Sequence, residues 1–379
     1  MYRDLLRRPG LAAQAMLGLA AQLTQQVAPV GTVLVVRDST RSLALAGACA
    51  AAMSIGTGLA RPVQGRLIDR RGARPVLVVT ALAHVGALAG LVACAGVRAP
   101  GWVLAVLALV AGGNLPPISV SMRLEWGRQS EDRTGAYSLV FLVQELAILT
   151  GPLLFGVAVA LASASLALGV VAVAAGVGTL AFSALSSRSE PGTREGRGRV
   201  FAHPGMRILL AVMVLLGGTI GALEVGLPAL AAARGMPAAT GLLVAALSLG
   251  GIAGAALYGM REWTVAPRTR LVVLMLAMGV ATLPLVVLPW LPAFWAMLFV
   301  AGMALNPALT TTSLLVDELA PAAQAEAFGW MSTAASAGAA AGSGVAGVAG
   351  QQFGTMAPFL VGALFALAGA GLATRRVTP

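Results

Sequence analysis

Two carboxyl side chains stand where carboxyls are costly. Glu145 follows Arg133 by twelve residues, about 18 Å along a helix, and Glu224 precedes Arg234 by ten, about 15 Å. If the apolar runs around them cross a bilayer, an ionised carboxylate at mid-helix costs on the order of 2.5 to 3.5 kcal/mol. Each therefore needs a use or a partner. The use open to it is proton uptake and release, which makes Glu145 and Glu224 candidates for proton coupling; the other reading is a protonated glutamate hydrogen-bonded between helices. Few other groups could share such a site. Gln22, Gln25 and Gln26 fall at i, i+3 and i+4 on one face of the first run, Asn114 lies in the fourth and Asn306 in the tenth. For each of these amides, bonding between helices without any ligand is the alternative.

The residues exclude much else. There is no histidine pair at metal spacing, no phosphate-cradling glycine loop with a lysine, and no serine or cysteine grouped with a histidine and a carboxylate. No metal, cofactor or catalytic role is expected. His84, alone in the third run, reads as a packing residue, as do Cys49 and Cys94.

The elements that must position these groups follow from hydropathy. Of 379 residues 58% are hydrophobic and only 10% charged, with a mean hydropathy of +0.87, more apolar surface than a soluble core can bury. Uncharged runs of eighteen or more residues recur, each long enough for a hydrocarbon core of about 30 Å. Twelve spans are predicted, at 11–36, 42–62, 75–97, 101–122, 135–160, 163–185, 207–233, 238–258, 270–288, 291–316, 327–350 and 354–374. The first is too long for a signal-peptide core and reads as a retained helix.

All 25 basic residues are arginine, and 21 of them fall on one side of this parse. The other side has only Arg37, Arg41, Arg98 and Arg234. By the positive-inside rule both termini are cytoplasmic, so topology accounts for the net charge of +11 and no nucleic-acid partner is implied.

The polar segment 186–206 reads as a cytoplasmic linker between halves 1–185 and 207–379. The halves repeat. Residues 51–74 align with 245–268, setting Gly56 on Gly250. "AGGNLPP" at 111 aligns with "AGMALNP" at 301, and the segment from 136 aligns with that from 327, pairing Gly151 with Gly342 and Gly156 with Gly347. Both copies begin on the same side, a parallel repeat about the membrane normal. The expected fold class is an all-α integral membrane protein of twelve helices in two pseudo-symmetric six-helix halves.

"GRLIDRRGARPVL", Gly65 to Leu77, lies in the short cytoplasmic loop between the second and third predicted spans. It resembles the signature of that loop in the major facilitator superfamily, through Gly65, Asp69, Arg70, Gly72 and Arg74. The glycines permit a tight turn and the arginines hold it in the cytoplasm. The resemblance implies that Asp69 faces the start of the eleventh helix, near 325–329, as a gate between conformations. "ELAILTGPLLFG" is similar to the Gly-Pro motif of the superfamily's antiporters. There Pro152 frees the carbonyl of Ile148, while Gly151 and Gly156 are expected to allow close packing. The fourth span departs from the antiporter pattern, with Asn114, Pro116 and Pro117 in its middle and its nearest arginine, Arg123, at the cytoplasmic end.

The chain resembles bacterial drug and sugar efflux permeases in particular. The resemblance implies a monomer in a bacterial inner membrane that exports a small organic compound in exchange for protons. It also implies a central cavity at which Gln22, Gln26, Asn114, Glu224 and Asn306 converge. Import or facilitated passage on the same fold remains open, as does a membrane receptor or scaffold without transport.

Overall fold

The computed structural model describes residues 10–186, 200–236, 239–287 and 291–375, and their regular structure is all helical. The helices are α1 (Leu11–Thr40), α2 (Leu43–Arg71), α3 (Ala73–Gly96), α4 (Gly101–Gly113), α5 (Ile118–Gln129), α6 (Arg133–Leu161), α7 (Ala164–Leu185), α8 (Pro204–Ala233), α9 (Ala239–Gly259), α10 (Pro267–Thr282), α11 (Leu291–Leu319), α12 (Gln324–Phe353) and α13 (Ala357–Ala373). Among the described residues ten stretches are long and apolar enough to cross a membrane, α4 and α5 together forming one of them. α12, with 30 residues, is long enough but rich in Ala, Gly and Ser; α13 is apolar with 17 residues. These two complete the twelve expected spans. Most of the expected linker, residues 187–199, lies outside the described residues.

By contacts the chain forms two compact units. Among the described residues one holds 10–129 and 146–186, and the other holds 130–145 and 200–375. The sequence division at 185 thus differs from the contact division, because the first part of α6 packs with the C-terminal helices. In the first unit α2 packs on α4, α1 on α7, and α3 on both α4 and α7. Leu88, Leu91, Leu104 and Leu168 meet in its core. In the second unit α8 packs on α12 and α13, α9 on α11, and α10 on α11 and α13. Leu223, Leu227, Phe294 and Phe359 form a core there.

The same contact closes a helix pair in each unit. A Cβ on Gly56 would strike the carbonyl of Leu109, and one on Gly112 the carbonyl of Met53. A Cβ on Gly250 would likewise strike the carbonyl of Phe299, and one on Gly302 that of Leu247. All four residues of the first set map onto the second by the offsets read from the repeat, so the α2–α4 and α9–α11 crossings are one piece of geometry built twice. Hydrocarbon tails are as apolar as leucine, so such helices associate by backbone approach and packing rather than by expulsion of water.

Three local expectations change. The fourth span is not one helix: α4 stops at Gly113 and α5 starts at Ile118, because Pro116 and Pro117 lack amide hydrogens and clash with the preceding turn. The helix then runs on to Gln129, so Arg123 is buried rather than terminal. The motif between the second and third spans is almost entirely helical. Gly65, Asp69 and Arg70 belong to α2 and Arg74 to α3, leaving a one-residue turn at Gly72 with φ 83°. That value suits glycine and few other residues. In the Gly-Pro motif α6 continues through Pro152 and Gly151 lies in ordinary contact with Gln26 and Val27. A Cβ on Gly156, however, would meet nothing within 4 Å, so that glycine serves no close packing.

Gly112→Ala should therefore cost about 1 to 3 kcal/mol by overpacking, read as a lower melting temperature in detergent, whereas Gly156→Ala should leave it unlowered.

Candidate functional site

In the first unit the break in the fourth span frees carbonyls, and one stripe of α2 receives them. Thr57, Arg61 and Gln64 stand at i, i+4 and i+7. Thr57 Oγ1 donates to the carbonyl of Gly112 at 3.1 Å. Gln64 Nε2 donates to those of Gly113 at 3.0 Å and Leu115 at 3.2 Å. Arg61 Nη1 reaches Pro116 at 3.5 Å. From α3, His84 Nδ1 lies 2.7 Å from the carbonyl of Ala111; a carbonyl only accepts, so that nitrogen carries the hydrogen. The carbonyls of Gly112 and Gly113 are those that Pro116 and Pro117 leave without an amide partner four residues on. Irregular backbone survives at membrane depth only when so satisfied. His84 is buried, with Nδ1 on that carbonyl and Nε2 without a partner among the described residues. Thr57, Arg61 and Gln64 were missed in the sequence; their i, i+4, i+7 spacing is the signal that could have found them, and no sequence pattern announces their target.

The second unit holds the carboxyl. Glu145 on α6 is 7% exposed. Its Oε1 accepts from Asn306 Nδ2 on α11 at 3.1 Å, and Ser248 on α9 adds a side-chain hydrogen bond. Its Oε2 has no partner among the described residues. Gly251 leaves the room for this pair, since a Cβ there would stand 2.7 Å from Asn306 Nδ2 and 3.1 Å from Glu145 Oε1. One oxygen is held and the other is free to take a proton. Neutral acid and carboxylate are both served, because Oε1 can accept from the amide in either state while Oε2 binds or releases the proton.

Further polar contacts join α6 and α11 from this point towards the ends of the two helices that the sequence assigns to the cytoplasm. Ser138 Oγ lies 3.4 Å from Thr310 Oγ1. The Tyr137 hydroxyl meets both oxygens of Asp317, at 2.7 and 2.8 Å. Arg133 Nη1 is 2.9 Å from Asp317 Oδ2, and Gln324 Nε2 donates to Oδ1 at 2.8 Å. Asn306, Thr310 and Asp317 share one face of α11, spaced four and then seven residues apart. Beside them Thr311 meets the Tyr258 hydroxyl at 2.7 Å, and Arg270 Nη1 donates to that hydroxyl at 2.9 Å. Asp317, Tyr137 and Ser248 were missed in the sequence. Only the acidic pair Asp317–Glu318 at a helix end could have pointed to the first of them.

The remaining candidates belong to both units. Glu224 on α8 is exposed and has no hydrogen-bond partner among the described residues. Gln22 is fully buried, with Nε2 turned to the carbonyl of Gly18 at 3.3 Å and to Met122 Sδ at 3.7 Å. Gln26 is half-buried beside Gly151. Asn114 donates back to the carbonyl of Val110 at 2.9 Å and lines a cleft between α2, α3 and α4 to which neither Gln22 nor Gln26 contributes. Of the five residues expected at one cavity, the structure brings only Asn306 to a titratable partner, and that partner is Glu145.

A family model of the Major Facilitator Superfamily matches residues 11–326. The chain belongs to that superfamily. It is a multi-pass membrane protein with the superfamily's transporter fold, twelve spans in a repeated architecture. No curated protein matches its sequence. Among solved structures it is similar to the human organic anion transporter MFSD10 (TETRAN), with TM-score 0.74, 17% identity and coverage of 95% of this chain and 98% of that one. It is also similar to a bacterial homologue of the iron transporter ferroportin in an outward-facing state, with TM-score 0.75, 16% identity and coverage of 96% and 98%. A third is the proton:xylose symporter XylE, with TM-score 0.71, 15% identity and coverage of 96% and 94%. At these identities the likeness is one of fold.

Gln64→Leu, which leaves two carbonyls in hydrocarbon without their donor, should destabilise by about 1 to 3 kcal/mol, measured as a lower melting temperature than that of wild type.

Proposed function

We propose that this protein is a proton-coupled exporter of a small organic compound, working by alternating access, with Glu145 as the proton carrier. The observation that supports this most is the state of the carboxyl: buried in a membrane-spanning helix, anchored through Oε1 by Asn306, with Ser248 as a further hydrogen-bond partner, and with Oε2 unpartnered. A purely structural glutamate would be expected to spend both. One proton entering down 100 mV supplies about 2.3 kcal/mol, enough for roughly fifty-fold concentration of substrate. The Gly-Pro motif at Gly151 and Pro152 favours export. Glu224, exposed and without a partner in its own unit, is the better candidate for substrate contact in the second unit, and half-buried Gln26 is the candidate in the first. The motif at Gly65, Asp69, Arg70, Gly72 and Arg74 is proposed to act as the conformational gate. Its one-residue turn couples α2 rigidly to α3, so motion of either carries the other. With neither arginine nor lysine among the proposed lining residues, neutral or cationic amphipathic substrates fit better than polyanions. A bacterial inner membrane is the proposed location, with both termini in the cytoplasm.

Import on the same fold is the second reading, favoured by the similarity to a proton:xylose symporter. Proteoliposomes with a pH dye inside distinguish the two. Candidate drugs and sugars added to wild-type protein should drive proton movement opposite to substrate. Glu145→Gln should abolish that flux while substrate exchange without a gradient survives, and Glu224→Gln should raise the substrate concentration needed. Proton movement in the same direction as substrate would establish symport, and undiminished proton flux in Glu145→Gln would remove this residue as the carrier.

Gly251→Val, which pushes Asn306 away from Glu145, should reduce coupled flux at least ten-fold with the protein still folded, as judged by circular dichroism and monodisperse elution.

A further inference from the structure

The cleft between α2, α3 and α4 takes no part in the proton site, and it has the shape and chemistry of a lipid seat. Its volume is about 590 Å3, and along α2 it extends from Gly56 to Arg71, fifteen residues or about 22 Å, somewhat more than one leaflet of a hydrocarbon core about 30 Å thick. Leu59, Val63 and Val79 on its walls are exposed large apolar side chains, so the cleft opens on the surface that faces the bilayer.

The polar residues in it have turned away. Gln64 Nε2 is spent on the carbonyls of Gly113 and Leu115, Thr80 Oγ1 on that of Val76 at 2.7 Å, and Asn114 Nδ2 on that of Val110. What they offer the cleft is mostly carbon, which suits an acyl chain better than a polar solute. The one charged residue lining it is Arg71, exposed at the end that the arginine distribution assigns to the cytoplasm. Arg71 has no carboxylate partner among the described residues, and Arg70 and Arg74 flank it across the one-residue turn, likewise exposed and without an ion pair.

We infer that this cleft binds one acyl chain of an anionic phospholipid of the cytoplasmic leaflet, with the headgroup phosphate on Arg71. The charge at the mouth selects the headgroup and the apolar walls select the chain. Because the inner wall is made of α4 next to the helix break and of Gln64, which holds that break, the bound chain also braces the irregular segment 114–117.

The test is native mass spectrometry of delipidated full-length protein in detergent, titrated with phosphatidylglycerol or phosphatidylcholine of identical chains. Wild type should retain a phosphatidylglycerol molecule with about five-fold preference, the worth of one arginine near a charged headgroup. Arg71→Gln, a change at an exposed position, should bring the preference close to unity. Ala60→Phe, which fills the cleft, should lower retention of both lipids. Arg375→Gln, an equal change of charge elsewhere, should leave the preference intact, and glycerol phosphate, which lacks a chain, should not displace the lipid. Equal retention of the two lipids by wild type, or a preference that persists in Arg71→Gln, would overturn the assignment. Undiminished binding to Ala60→Phe would place the lipid elsewhere on the surface.

Discussion

A carbonyl at membrane depth has no water to turn to, and much of this structure follows from where such carbonyls go. Most are consumed within helices. Those at the α2–α4 and α9–α11 crossings lie against glycines, which lets backbone touch backbone where a side chain would hold the helices apart. Those released by Pro116 and Pro117 cannot be hidden that way, so donors must be brought to them. The stripe of Thr57, Arg61 and Gln64 begins where α2 already runs close to α4, one residue past Gly56 and four past Met53. Close approach comes first, and the polar satisfaction depends on it.

The same constraint explains why the second unit can keep a titratable carboxyl. Burying Glu145 is tolerable because Asn306 and Ser248 reach it, and they reach it because Gly250 and Gly302 draw α9 and α11 together while Gly251 leaves space beside the carboxyl. Two packing glycines and one vacated position thus make room for the buried carboxyl. The Arg133–Asp317 pair belongs to a different regime. Its aspartate is buried and its arginine half exposed, so its energy is that of a partly screened contact rather than a buried pair, suited to an attachment that is made and broken.

Much of the architecture was legible in the sequence because hydropathy and arginine placement are bulk properties that leave a mark every twenty residues. The repeat was legible too, and two of its aligned glycine pairs, Gly56 with Gly250 and Gly112 with Gly302, are the contact residues of the crossing, since only glycine permits that approach; Gly156 and Gly347 make no such contact. Span interiors were less legible. Pro116 and Pro117 signalled a disturbance, but whether a proline pair kinks or breaks a helix depends on donors from other helices, which are far away in sequence. The polar residues were readable as candidates and unreadable as pairs. Asn114 and Asn306 occupy similar places in similar segments, yet one bonds back to its own helix and the other crosses to Glu145. Partner choice depends on which face a helix presents, and an Ala- and Gly-rich helix carries almost no amphipathic pattern from which to read it.

The aligned segments "AGGNLPP" and "AGMALNP" carry that difference to its source. Pro117 matches Pro307, but Pro116 matches Asn306. With two prolines in succession the fourth span breaks and needs capping from α2 and α3; with one, α11 remains continuous through Pro307, and Thr311 Oγ1 bonds the proline's own carbonyl at 2.7 Å. The position that costs the first half its helix supplies the second half with the amide that holds a carboxyl. A duplicated crossing has therefore been used in two ways: as a joint where the backbone is loosened and braced by side chains, and as an intact helix that presents a donor at fixed height. The exporter proposed above needs both, a place that yields and a place that keeps its carboxyl in register. The two copies meet those needs with one substitution at one slot.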